Sequence, residues 1–183
     1  MRRRWGGPGE VVAMHSAVTE NSIERANAQF WEQMLAMQLD PVGATGRRSI
    51  GSGHVLGGCD LSGEWNGRIE VRLSKGLAIC ATAAMLMQPP AKVRPADTLD
   101  AIKEIANMIA GTLKSALPRP CVMTVPFAAA VAEEFCTLPR TEDSVALFFR
   151  HTSGELMIRV QEGEYFVAVS EGQCPVEHSP MPV

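Results

Sequence analysis

The 183 residues predict a single-domain α/β (α+β) sandwich, with two or three helices packed on a mostly antiparallel sheet. Three observations carry that prediction. Apolar residues recur at helical spacing near the start of the chain and again between residues 100 and 114. Strict alternation over residues 68–73, and short apolar runs with turn residues after 121, mark strands. The resulting order is helix, two strands, two helices, then a run of strands.

Thr19 to Leu39 reads as the first helix, with Thr19 as N-cap. Ile23, Ala26, Phe30, Met34 and Met37 form its apolar stripe, and Asp40-Pro41 follows its end. Gly43 to Gly58 is glycine-rich and carries no clear period, with a strand beginning at Val55-Leu56. Asn66-Gly67 is a two-residue hairpin signal. Beyond it Arg68-Ile69-Glu70-Val71-Arg72-Leu73 alternates, which predicts a half-buried strand.

Gly76 to Met87 is apolar nearly all round and uncharged, so it reads as a buried helix stopped by Pro89-Pro90. Pro95 and Asp97, the latter as N-cap, introduce a long helix that ends near Leu117, before Pro118 and Pro120. Strands are expected at Cys121–Val125, Ser144–Phe149, Glu155–Val160 and Tyr165–Ser170, with turns at Ser153-Gly154 and Gly163. The domain is placed at residues 17–171, between a flexible N-terminal segment, 1–16, and a flexible tail, 172–183.

Composition narrows the function. Apolar residues make up 46% and charged residues 20%, the profile of a soluble globular protein. A net charge of −3 gives no long-range attraction to nucleic acid or anionic lipid. The basic start lacks the apolar core of about 7 residues that a signal peptide needs. No apolar run approaches the roughly 18 residues of a membrane span, which points to the cytoplasm. The five cysteines form no CxxC pair and the four histidines are scattered, so neither a metal nor a cofactor of its own is expected. Cys80 and Cys121 read as small buried hydrophobes.

One stretch stands out: Asp100 to Lys114, DAIKEIANMIAGTLK. On a wheel of about 100° per residue, Ile102, Ile105, Ile109 and Leu113 share one side. Asp100, Glu104, Asn107, Gly111 and Lys114 fall together on the other. A solvated face would be served better by Lys, Glu, Gln or Ala, because Asn and Gly are poor helix formers. Gly111 also removes side-chain atoms one turn beyond Asn107, which would let another surface approach the backbone.

The pattern Asp-x-x-x-Glu-x-x-Asn-Met-Ile-Ala-Gly-x-x-Lys, standing here as Asp100, Glu104, Asn107, Met108, Ile109, Ala110, Gly111 and Lys114, resembles the signature helix of the CheX-like chemotaxis phosphatases, relatives of CheC. The similarity extends from the Phe30–Leu35 part of the first helix to the last strand. It implies an α/β fold with two long helices on a sheet, and removal of phosphate from the aspartyl phosphate of a CheY-type response regulator. It implies Glu104 and Asn107 as catalytic residues: Glu104 pairing with the regulator's active-site lysine, Asn107 orienting the attacking water. Asp100, Gly111 and Lys114 become partner-binding positions, and Mg²⁺ is expected in the regulator. The resemblance also implies a homodimer. The alternative is a non-catalytic regulator-binding or scaffold module on the same fold.

A second ExxN occurs at Glu24 and Asn27, with Glu20 matching Asp100. Trp31 stands where the main motif has Gly111, and Asn27 projects toward the apolar stripe, so this pair reads as a decoy. The proline that follows the Asn in CheC-type sequences is matched here by Ala130, with Pro126 nearby, which suits a single CheX-type site.

Overall fold

A computed structural model describes residues 18–42, 48–137 and 144–163. Its helices are α1 (Glu20–Leu35), α2 (Lys75–Met85) and α3 (Pro95–Lys114), with a short 3-10 turn at Pro90–Lys92. Its strands are β1 (Asp40–Val42), β2 (Arg48–Ile50), β3 (His54–Gly63), β4 (Gly67–Ser74), β5 (Cys121–Met123), β6 (Phe127–Val131), β7 (Phe135–Thr137), β8 (Ser144–His151) and β9 (Gly154–Glu162). The expected Tyr165–Ser170 strand, the 1–16 segment and the 172–183 tail lie outside the described residues.

The main sheet runs β1-β8-β9-β4-β3, with β5 and β6 both on the outer edge of β3, and every pairing is antiparallel. β6 pairs with His54–Gly58 and β5 with Leu61–Gly63, so the edge is one strand broken at Thr124-Val125-Pro126. Thr124 bridges the break: its N–H donates to the Asp60 carbonyl at 2.9 Å, and its hydroxyl accepts from the Asp60 N–H at 3.0 Å. β2 and β7 form a separate two-stranded ribbon.

The three helices share one core with one face of the sheet. Ile102, Ile105, Ile109 and Leu113 of α3 lie in it with Val55, Cys59, Val71, Leu147 and Ile158 of the strands. Gly57 explains how closely α3 sits. A Cβ at 57 would stand 2.7 Å from Ile102 Cγ2 and 3.0 Å from the Ile102 carbonyl oxygen, so glycine alone admits the helix there. A smaller apolar cluster, Ile50, Ala146, Phe148 and Met157, stands apart from that core.

Several boundaries depart from expectation. The first helix stops at Leu35, because Ala36 takes a left-handed conformation (φ 52°) and the Met37 N–H closes on the Trp31 carbonyl at 2.8 Å. Met34 lies outside the buried stripe and is exposed, while Asn27 and Trp31 are buried. The N-cap of α3 is Arg94; Asp97 works from inside the first turn, its carboxylate accepting from the Arg94 N–H at 3.1 Å and from the guanidinium at 2.6 and 2.9 Å. That helix ends at Lys114 rather than near Leu117. The β3–β4 loop is longer than two residues, and Asn66 closes it by accepting from the Gly63 N–H.

β4 is buried on both faces, not one. Its charged residues are paired across strands. Arg68 makes two hydrogen bonds to Asp60 of β3, at 2.6 and 3.0 Å, and lies over the Phe127 ring at 4.9 Å. Glu70 accepts from Arg159 of β9 at 2.8 and 3.1 Å. The Arg72 guanidinium, which only donates, bonds His54 Nε2 at 3.0 Å, so the imidazole carries its proton on Nδ1, facing the Gly51 carbonyl at 3.2 Å. Burial, then the Arg72 charge, push the His54 pKa down.

Candidate functional site

The strip of α3 lies where the wheel puts it. Ile102, Ile105, Ile109 and Leu113 are fully buried, and Asp100, Glu104 and Gly111 are exposed, with Asn107 and Lys114 half-buried. Glu104 and Asn107 are three residues apart, about 4.5 Å along the axis and on adjoining positions of one face. Among the described residues neither side chain has a hydrogen bond or ion pair, so both polar ends are available to a partner. Asp100 is partly engaged, with Lys103 Nζ at 3.5 Å from its carboxylate. Met108, next to Asn107, packs against the core, which fixes the backbone from which the carboxamide projects.

Gly111 differs from Gly57. Among the described residues a Cβ at 111 would meet nothing within 4 Å, so no contact with them requires glycine there. Its position between Asn107 and Lys114 leaves a gap in the side-chain surface of the helix. The gap continues into an open groove of about 690 Å³ lined by Gly111, Lys114, Ser115, Arg119, Pro120 and Cys121. Sequence reasoning missed Arg119, because only the turn after α3 brings it beside Lys114. The groove floor includes Cys121, a buried thiol whose pKa burial raises while nearby Lys114 draws it the other way.

The second ExxN has a different setting. Glu24 is exposed, but Asn27 is only 4% exposed, its Oδ1 without a hydrogen-bond partner, and Trp31 fills the place of Gly111 within the core. A carboxamide so placed cannot reach a partner without unpacking α1. Among the described residues no group of three or more His, Cys, Asp or Glu is placed to hold a metal ion, and no helix is long and apolar enough to cross a membrane.

Among the described residues, three helices pack on an antiparallel sheet, and the candidate chemistry stands on an exposed helix face. The chain belongs to the CheX family: the family model for the chemotaxis phosphatase CheX matches residues 55–150, which include the whole strip. Solved structures agree on the fold. The chemotaxis protein CheX from Desulfovibrio desulfuricans is 22% identical, with 78% of this chain and 97% of that one covered, at a TM-score of 0.59. CheX from Vibrio vulnificus is 19% identical over 79% of this chain and 95% of that one, at 0.60. The CheX–CheY–BeF3–Mg²⁺ complex from Borrelia burgdorferi contains a chain 17% identical over 81% of this chain and 99% of that one, at 0.57. No curated protein gives a significant match.

Proposed function

We propose that this protein hydrolyses the aspartyl phosphate of a CheY-type response regulator, with Asn107 holding the attacking water and Glu104 pairing with the regulator's active-site lysine. The observation that carries the reading is the pair itself: a carboxylate and a carboxamide without partners among the described residues, one turn apart, on an exposed helix face with open space at Gly111. The family match and the Borrelia burgdorferi complex, a CheX seated with CheY, support the choice of partner.

The chemistry suits so small a site. An acyl phosphate is already activated, and phosphoryl transfer is catalysed mainly by positioning and charge neutralisation. The regulator's Mg²⁺ would supply the second. Water oxygen bonds to phosphorus as the bond to the aspartyl oxygen breaks; the products are inorganic phosphate and the regulator's free carboxylate. The water's proton leaves to the surrounding solvent or phosphate oxygens. What this chain adds is a water held in line at attack distance. A carboxamide both accepts from and donates to that water without bringing negative charge to the phosphate. Glu104, meeting a lysine, sets the angle at which Asn107 enters.

The test is the decay of a phosphorylated CheY-type regulator with Mg²⁺, alone and with wild-type or Asn107→Ala protein. Wild type should accelerate it and the variant should not, while still binding. Binding without acceleration by wild type would refute the enzyme and leave the scaffold role. Equal loss of binding and rate in Asn107→Ala would refute the water-positioning role.

A further inference from the structure

The docking face carries its charges in order. Asp100, Lys103 and Glu104 occupy its N-terminal half, with Lys103 Nζ 3.5 Å from the Asp100 carboxylate, so Glu104 is the charge left open there. Asn107 and Gly111 are uncharged, and Lys114 closes the face, followed across the turn by Arg119. Glu104 and Lys114 are about 15 Å apart along the axis at 1.5 Å per residue. That exceeds the Debye length of roughly 8 Å at physiological ionic strength, so the two ends act as separate electrostatic contacts.

Cations at a helix C-terminus also offset the macrodipole, and Arg119 Nη2 donates to the Ser115 carbonyl at 3.5 Å. That role accounts for positive charge near residue 114 but not for the groove. Among the described residues nothing fills the space beside Gly111, and Lys114 has no ion pair.

We propose that the strip accepts its receiver domain in one orientation only, with acidic residues of the receiver seated over the Lys114–Arg119 groove while its lysine meets Glu104. This rests on the function proposed above and deepens it, since the groove then selects both partner and pose. In the reversed pose the receiver's lysine faces Lys114 and Arg119, and its acidic surface faces Glu104. Like charges then meet at both ends, and the polarity rejects that pose. Asn107 is thereby presented to the acyl phosphate from one side.

The experiment titrates a beryllofluoride-loaded CheY-type receiver against wild type, Lys114→Gln/Arg119→Gln and Lys114→Glu/Arg119→Glu, at low and high salt. Turnover at saturating receiver is measured in parallel. The reversal pair should weaken binding by about ten-fold or more and also lower turnover at saturating receiver, because like charges no longer exclude the reversed pose at the C-terminal end. The glutamine pair should bind with a flatter salt dependence, and serves if the reversal pair folds poorly. Asn107→Ala should lose turnover while keeping wild-type affinity and salt dependence.

Unchanged affinity and salt dependence in both pairs would overturn the groove while leaving the proposed function standing. So would unchanged receiver affinity together with altered self-association, which would assign the groove to a second copy of this chain. Millimolar inorganic phosphate that fills the groove without displacing receiver would overturn it too. A wild-type protein that neither binds nor dephosphorylates receivers would remove the proposed function, and this inference with it.

Discussion

Replacing Gly111 by alanine should make the protein more stable and less able to act on its partner. Within a helix the exchange is worth about 1 kcal/mol, and somewhat less here because residue 111 lies in the last turn of α3. No steric term subtracts from that gain, since a Cβ at 111 meets nothing within 4 Å. For a chain of this size the gain corresponds to a rise in Tm of about 1–4 °C. Gly57→Ala is the control with the opposite sign. Its Cβ would be forced to within 2.7 Å of Ile102 Cγ2, and overpacking of this kind costs about 1–3 kcal/mol. Urea unfolding at constant m-value measures both, and receiver dephosphorylation is followed on the same preparations. Gly111→Leu extends the series by filling the gap with a large side chain. Full dephosphorylation by Gly111→Leu, or a Gly111→Ala protein less stable than wild type, would refute the assignment of this glycine to a docked partner.

Three further outcomes are expected. Glu104→Ala should lose affinity for the receiver as well as turnover, unlike Asn107→Ala, and binding titrations separate the two. Folding keeps His54 neutral while the unfolded chain takes up a proton near its ordinary pKa of 6.5. The associated stability is therefore complete above 6.5 and is lost as pH falls below it, so the urea midpoint should drop on acidification. His54→Gln, uncharged beside Arg72, Glu133 and the Gly51 carbonyl, should remove that part of the slope. Met87 closes α2 in a left-handed conformation (φ 51°) at 94% exposure. Met87→Gly should relieve that backbone and stabilise by about 0.5–1 kcal/mol, read as a higher Tm.

The long helix was readable because its signal is repeated. Four apolar residues at a spacing of three and four fix one face, and the opposite face, with Glu104 and Asn107, follows by subtraction. Elsewhere the local signal was short or contradicted. β1, β2, β5 and β7 have three residues each, too few to show a period. Phe127–Val131, FAAAV, is rich in a helix-forming residue, yet it is a strand because His54–Gly58 pairs along it. Ala36 ends α1 in a conformation usually announced by glycine, so its stop was invisible. The alternation of residues 68–73 marks a strand but does not show that its charged face is buried too. Asp60 and Arg159, which neutralise Arg68 and Glu70, lie on other strands, 8 and 89 residues away. The groove escaped for the same reason, since Arg119 joins Lys114 only through the turn that follows the helix.

The ion pairs across β4 bear on how this chain finds its fold. Side chains alternate along a strand, so a slip of one residue in pairing would turn Arg68, Glu70 and Arg72 toward the helices and Ile69, Val71 and Leu73 away from them. Burying even one unpaired charge in that way costs several kcal/mol, which makes misregistered sheets poor competitors during folding. Fidelity of assembly is thus encoded on strands, away from the outward surface of α3 on which we propose that recognition occurs. On that proposal, mutations that retune the surface toward a different receiver leave the ladder untouched. A lineage could exchange one signalling partner for another without relearning how to fold.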